Sequence, residues 1–169
     1  TMFFLGGLGF LRILWLPGLD ISFNIMNITD AVFIPYRIII DFFNLFGINL
    51  DQILPYIIIG LGLFIFCMGT LVWLRTYYNQ KGVAKIWLYR YSRHPQYLGW
   101  IIWSYGIMFL PGVNMKQSYS ISESLPWLIS TLVIIAIAMI EEIKMGKQYG
   151  HEYDNYRRNS YFMIPFPKY

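Results

Sequence analysis

The residues with chemical reach crowd into two short stretches. The first is Tyr89-Arg90-Tyr91-Ser92-Arg93-His94-Pro95-Gln96-Tyr97. Pro95 suits the first turn of a helix, where its missing N–H costs nothing. Arg93 and His94 then stand at the positive end of that helix. A cation is disfavoured there unless an anion is close, and an anionic ligand resolves the conflict because a helix N-terminus is a ready anion site. The second stretch opens with Glu141-Glu142, which closes a mostly apolar run. Two carboxylates are costly at hydrocarbon depth. They either mark an exit into water or face a polar cavity and bind hydroxyls or an amine. Beyond them, Glu142, Tyr149, Tyr153 and Tyr156 follow at steps of seven, four and three and end in Arg157-Arg158. On one helix such residues share a face, either as packing surface or as a pocket wall. The competing reading of the first stretch is an interfacial belt of Tyr, Trp and Arg.

Other chemistries are poorly served. No glycine-rich dinucleotide loop follows a strand, and no phosphate-binding P-loop occurs. His94 and His151 are the only histidines, and neither has a Cys or His partner at metal-ligand spacing, so no metal is expected. Cys67 is the only cysteine, which excludes an intrachain disulfide. Its apolar neighbours make it a packing residue.

The elements that must position these residues are long and apolar. Of 169 residues, 57% are hydrophobic and only 13% charged, against roughly 45–50% and roughly 25% in average soluble chains. That composition excludes a disordered protein, a typical soluble enzyme and a nucleic-acid-binding domain. A spanning helix needs about 20 mostly apolar residues. Ile53–Leu74 meets this and ends at Arg75. Tyr97 to about Pro111 is shorter, with Gly99 and Gly106 as points of close helix contact. Leu125–Ile140 continues as a helical pattern to Gly150, and Met2–Leu19 is a further candidate despite Arg12. Ala31–Gly47 carries Pro35, Arg37 and Asp41, so it is either a poor span or an interfacial helix. The expected fold is an all-α integral membrane protein with four or five transmembrane helices in a single domain, residues 1–169. Residues 1–75 form the N-terminal spans and 76–169 carry the chemistry. The chain opens Thr1-Met2, so its natural start is uncertain.

Five basic residues fall between Arg75 and Arg93, five more follow Ile140, and only Lys116 lies between Pro111 and Leu125. Basic short loops stay in the cytoplasm. Two spans join the basic loop to the basic tail, so both are expected on that side.

The residues of both stretches also resemble a known family. Arg93-His94-Pro95-Gln96-Tyr97-Leu98-Gly99-Trp100, with Trp103-Ser104 and Gly106, resembles the RHPxYxGWxxWSxG signature of the isoprenylcysteine carboxyl methyltransferases. Glu141, Glu142, Met145, Tyr149, Gly150, Glu152, Tyr153 and Tyr156 resemble that family's EExxLxxxFGxEYxxYxxR run, and Ile164-Pro165-Phe166 its closing proline. The resemblance covers about the last 80 residues, in order and with matching spacing. It implies a membrane enzyme that uses S-adenosylmethionine, held in a cytoplasmic pocket completed by a C-terminal helix. The substrate is implied to be a lipid-type acceptor entering from the bilayer, first of all the carboxylate of a prenylated cysteine. Carried over, Tyr89, Arg93, His94 and Tyr97 contact the cofactor, and Glu141 and Glu142 supply carboxylates to it. Glu152 and Arg158 stand nearest the reacting group. Three places depart from the pattern. Trp87-Leu88 replaces a Gly-x before Tyr89, Ile137 stands where some relatives carry arginine, and the last basic position falls on Asn159, one place after Arg158. Two other readings compete: an NADPH-dependent sterol or steroid reductase, and a non-catalytic membrane subunit that keeps the fold. The Glu pair and Glu152 favour methyl transfer, and no added cationic cluster is present for a reductase's extra phosphate.

Overall fold

The computed structural model describes residues 26–79, 82–111 and 121–164. The candidate span Met2–Leu19 and the closing Pro165 lie outside them. The described chain is helical: α1 Met26–Asn44, α2 Leu54–Tyr78, a 3-10 turn Trp87–Arg90, α3 Pro95–Met108, α4 Ile121–Tyr149 and α5 His151–Asn159. Among the described residues no strand forms; one isolated parallel bridge joins Ser92 to Tyr161.

Two compact units divide the chain, one within residues 1–55 and 108–132, the other within 56–107 and 133–169. In the first, α1 buries Phe33, Tyr36 and Ile40, whose spacing places them on one helix face. Tyr36 stacks on Phe109 with centroids 3.9 Å apart, and Phe33 meets the same ring edge-on. The Tyr36 hydroxyl donates to the Asp51 carbonyl at 3.2 Å. Ile34, Ile38 and Phe42 remain exposed.

In the second unit, glycines let α2 and α3 approach backbone to backbone. A Cβ on Gly62 would collide with the Trp103 backbone, and one on Gly99 with the backbone of Phe66. Close crossing through small residues suits helices that gain nothing from packing apolar side chains against lipid. Gly99 therefore sits where its sequence setting placed it.

Two described helices are long and apolar enough to cross a bilayer: Leu54–Tyr78, and Ser124–Tyr149 within α4. Only 17% and 22% of their apolar windows are buried within the structure. A core helix of a soluble protein hides that surface; here Ile57, Leu61, Phe64 and Leu71 lie open on α2. Cys67 is also exposed on this helix, not packed in a core. The 14-residue α3 and the 19-residue α1 do not reach the same standard.

Helix α4 carries the Glu pair inward from its long apolar run and stops at Tyr149. Gly150 then takes φ 49°, ψ −125°, a left-handed conformation that costs glycine nothing. The chain turns there into α5. The aromatic series after Glu142 is therefore divided between two helices rather than laid along one. Tyr153 and Tyr156 are the buried face of α5, packed with Val83, and Met145 and Tyr149 of α4 lean against them. Glu152 and Asp154 occupy the first turn of α5 and Arg157 and Arg158 its last, each sign opposite to the local helix charge.

Candidate functional site

Pro95 is the first residue of α3, so Arg93 and His94 do precede its N-terminus. A carboxylate of the protein itself, that of Glu142, stands beside this position. The Arg93 Nε donates to Glu142 Oε1 at 2.5 Å, with side chains only 9% and 11% exposed. His94 lies between the two carboxylates, its Nδ1 3.8 Å from Glu141 Oε2 and its Nε2 3.4 Å from Glu142 Oε1. The ring is buried, and neither nitrogen makes a hydrogen bond. The Tyr97 hydroxyl donates to Glu141 Oε1 at 2.9 Å, and the Tyr97 ring lies near-parallel to His94 with centroids 5.7 Å apart.

The two glutamates thus differ in kind. Glu142 is neutralised by Arg93 and has Arg157 Nε 3.7 Å away. Among the described residues Glu141 makes no ion pair with Lys or Arg; its partners are the Tyr97 hydroxyl and the His94 ring. Glu141 therefore keeps acceptor capacity for a cation or a hydroxyl.

A layer of buried tyrosines backs this cluster. The Tyr89 hydroxyl donates to Gln96 Oε1 at 2.8 Å, and Tyr156 donates to the Tyr89 carbonyl at 2.6 Å. Burial, with Tyr156 and Glu141 close by, holds the Tyr89 hydroxyl far above the usual phenol range. Burial does the same for Tyr156, and it pushes Tyr153 up to about 12, helped by the negative charge of Glu142. All three hydroxyls stay neutral near neutral pH.

The structure therefore draws Tyr89, Arg93, His94, Tyr97, Glu141 and Glu142 into one connected cluster. Glu152 and Arg158 are placed differently. Glu152 pairs with Lys85 at 2.6 Å in an exposed contact. Arg158 lines a shallow depression on α5 with Asp154 and Arg157. Three participants were given no role by the sequence, two of them inside the first stretch and Phe162 outside both. Gln96 fixes Tyr89, Ser92 Oγ donates to the Met163 carbonyl at 2.6 Å, and Phe162 meets the His94 ring edge-on at 5.2 Å. Among the described residues no group of His, Cys, Asp and Glu could hold a metal ion.

Comparison with known proteins adds two matches. Residues 55–160 match the family described as "Protein of unknown function (DUF1295)". The chain is also 27% identical over 143 residues to a protein of Crocosphaera subtropica (strain ATCC 51142 / BH68) named methanethiol S-methyltransferase. That alignment covers 75% of this chain and 50% of the relative, so the chain spans about half the relative's length. No solved structure matches.

Proposed function

This chain belongs to the DUF1295 family, and we propose that it is a membrane-embedded methyltransferase that takes its methyl group from S-adenosylmethionine. The observation that carries the reading is the asymmetric glutamate pair. Glu142 is neutralised within the protein, while Glu141 is held by a hydroxyl and a buried, hydrogen-bond-free imidazole. That set fits a ligand bearing an ammonium group, hydroxyls and a ring system. When bound, S-adenosylmethionine supplies a methyl group made electrophilic by its sulfonium. The residues do the rest by placement, which carries much of the rate in an in-line displacement. Glu141 accepts from the ammonium or ribose hydroxyls, Tyr97 fixes its carboxylate, and the buried tyrosines keep water out. The name of the relative and the exposed apolar surfaces of α2 and α4 support the reading. On the distribution of basic residues, the site faces the cytoplasm.

Two acceptors are supported by different observations. The relative's name favours a small thiol. The ordered motifs favour the carboxylate of a prenylated cysteine. The thiol comes first, because Arg93 is spent inside the protein and Arg157, the other guanidinium at the cluster, already faces Glu142. A thiol must lose its proton before it attacks, and His94 is the group in the cluster able to take it. The test uses the full chain in lipid nanodiscs, with calorimetric titration of S-adenosylmethionine followed by transfer of labelled methyl to methanethiol and to a farnesylcysteine. Binding with transfer to the thiol is expected. Absence of binding in folded protein would overturn the reading.

A further inference from the structure

We propose that Arg93 is a positioning residue that assembles the site from the C-terminal tail inward, and that Phe162 is the wall it seats against His94. The geometry gives Nε and Nη1 distinct partners. Arg93 Nε goes to Glu142, and Nη1 donates to the carbonyls of Arg157 and Ser160 at 3.1 and 2.6 Å. Arg157 lies in the last turn of α5 and Ser160 is its C-cap, where helix carbonyls are left without internal partners. A cation there also complements the helix dipole. One nearly buried guanidinium therefore joins the site carboxylate on α4 to the end of α5. Lysine could not do this, having a point charge instead of a planar fork.

The same segment is pinned by backbone. The Arg93 amide donates to the Tyr161 carbonyl and the Tyr161 amide to the Tyr91 carbonyl, both at 2.9 Å. Ser92 holds the Met163 carbonyl. Between these pins, the Phe162 ring lies 5.9 Å beneath the Arg93 guanidinium and edge-on to His94. Release of Arg93 would leave Glu142 with only the longer, exposed contact to Arg157 as its cationic partner and free the end of α5. Phe162 would lose the cation that holds it over the imidazole.

The proposal rests on the methyl-transfer reading only for its cofactor arm; its second arm is independent of any activity. The experiment follows tryptic cleavage after Arg157 and Arg158, and S-adenosylmethionine affinity, in the full chain in nanodiscs. Arg93→Ala should speed cleavage and weaken binding together, each by about ten- to a hundredfold, the effect of one lost charged hydrogen bond. Added ethylguanidinium should restore both, and Arg93→Lys should restore neither fully. Phe162→Ala should weaken binding while the backbone pins keep the tail protected. Weakened binding with unchanged cleavage in Arg93→Ala would make Arg93 a direct ligand and overturn the proposal, as would unchanged cleavage alone. Should Arg93→Ala fail to fold, Arg93→Lys and Phe162→Ala carry the same comparison. Should wild type bind no S-adenosylmethionine, the functional reading fails while the cleavage arm still decides the role of Arg93.

Discussion

The Tyr156 hydroxyl donates to the backbone carbonyl of Tyr89 at 2.6 Å, across 67 residues of chain. This bond ties α5 to the 3-10 turn that carries Tyr89 into the site. Both tyrosines are buried, so Tyr156→Phe strands a carbonyl out of reach of water. Leaving such a group unpaired costs about 1–3 kcal/mol. Tyr156→Phe should lower the thermal midpoint and speed tryptic cleavage at Arg157. An unchanged midpoint would show that water reaches the Tyr89 carbonyl.

The two glutamates should respond oppositely to the same change. Glu142→Gln removes the charge opposite a nearly buried Arg93, and breaking a buried pair costs about 3–5 kcal/mol. Its main effect should be on stability. Glu141→Gln breaks no ion pair with Lys or Arg and keeps an acceptor for the Tyr97 hydroxyl, so it should lower the midpoint less than Glu142→Gln does. Its effect should be on cofactor affinity, lower by about ten- to a hundredfold. Thermal melts beside calorimetric titration separate the two. Equal loss of stability in both variants would refute the division of labour.

Much of this site was legible in the chain because its side chains advertise themselves. Arg93, His94, Tyr97 and the Glu pair are polar residues in apolar surroundings, and such groups need one another. What joins the tail to them was not legible. The Ser92–Tyr161 bridge and the Arg157 and Ser160 carbonyls are backbone groups, and backbone acceptors carry no residue signature. The break after Tyr149 could have been read: Gly150 follows a long helical pattern, where glycine commonly takes a left-handed cap. The position of Arg93 before α3 correctly signalled a nearby anion. That Glu142 stands beside Arg93 depended on where α4 packs, which local spacing does not encode.

Trp87 departs from the Gly-x that the resembling family places before its tyrosine, and it has φ 55°. A bulky residue in the left-handed region costs roughly 1–2 kcal/mol. The side chain is 68% exposed, so little packing within the protein offsets that strain. Trp87→Gly should be more stable than Trp87→Ala by about 1 kcal/mol, because alanine keeps the strain and glycine removes it. Chemical denaturation of the two variants in the same nanodiscs checks the order. A more stable alanine variant would mean that the turn relaxes to negative φ.

Alkali should loosen α5 over a defined range. An exposed tyrosine ionises near 10, whereas buried Tyr153 does so at about 12. Between these values the unfolded chain sheds a proton that the folded one keeps. The stability contributed by burying neutral Tyr153 is therefore complete below pH about 10 and falls as pH rises towards 12. Tyr153→Phe should make that fall shallower without abolishing it, because Tyr89 and Tyr156, also raised by burial, lose stability from pH about 10 upward as well. Circular dichroism across pH 9 to 12 follows it. A profile identical in wild type and variant would mean that the Tyr153 hydroxyl is open to solvent.

The acceptor can be read from which variant loses turnover. Glu152 is paired with Lys85 at the surface, and exposed pairs contribute less than about 1 kcal/mol. On a thiol acceptor, Glu152→Gln and Arg158→Lys should both turn over nearly as wild type, while His94→Gln should lose the step that needs a proton acceptor. The loss should appear in turnover at saturating donor as well as in kcat/KM, the pattern of an interaction made in the transition state. A carboxylate acceptor reverses the order. It is already ionised at neutral pH and needs no base, but it needs a cation held in a fork. Arg158→Lys keeps the charge and loses the paired bonds, so that variant should then fail on farnesylcysteine while His94→Gln retains turnover once donor is saturating. Measuring both acceptors with the three variants decides the matter. Full thiol turnover in His94→Gln would remove the imidazole from the chemistry and leave it a structural partner of Glu141.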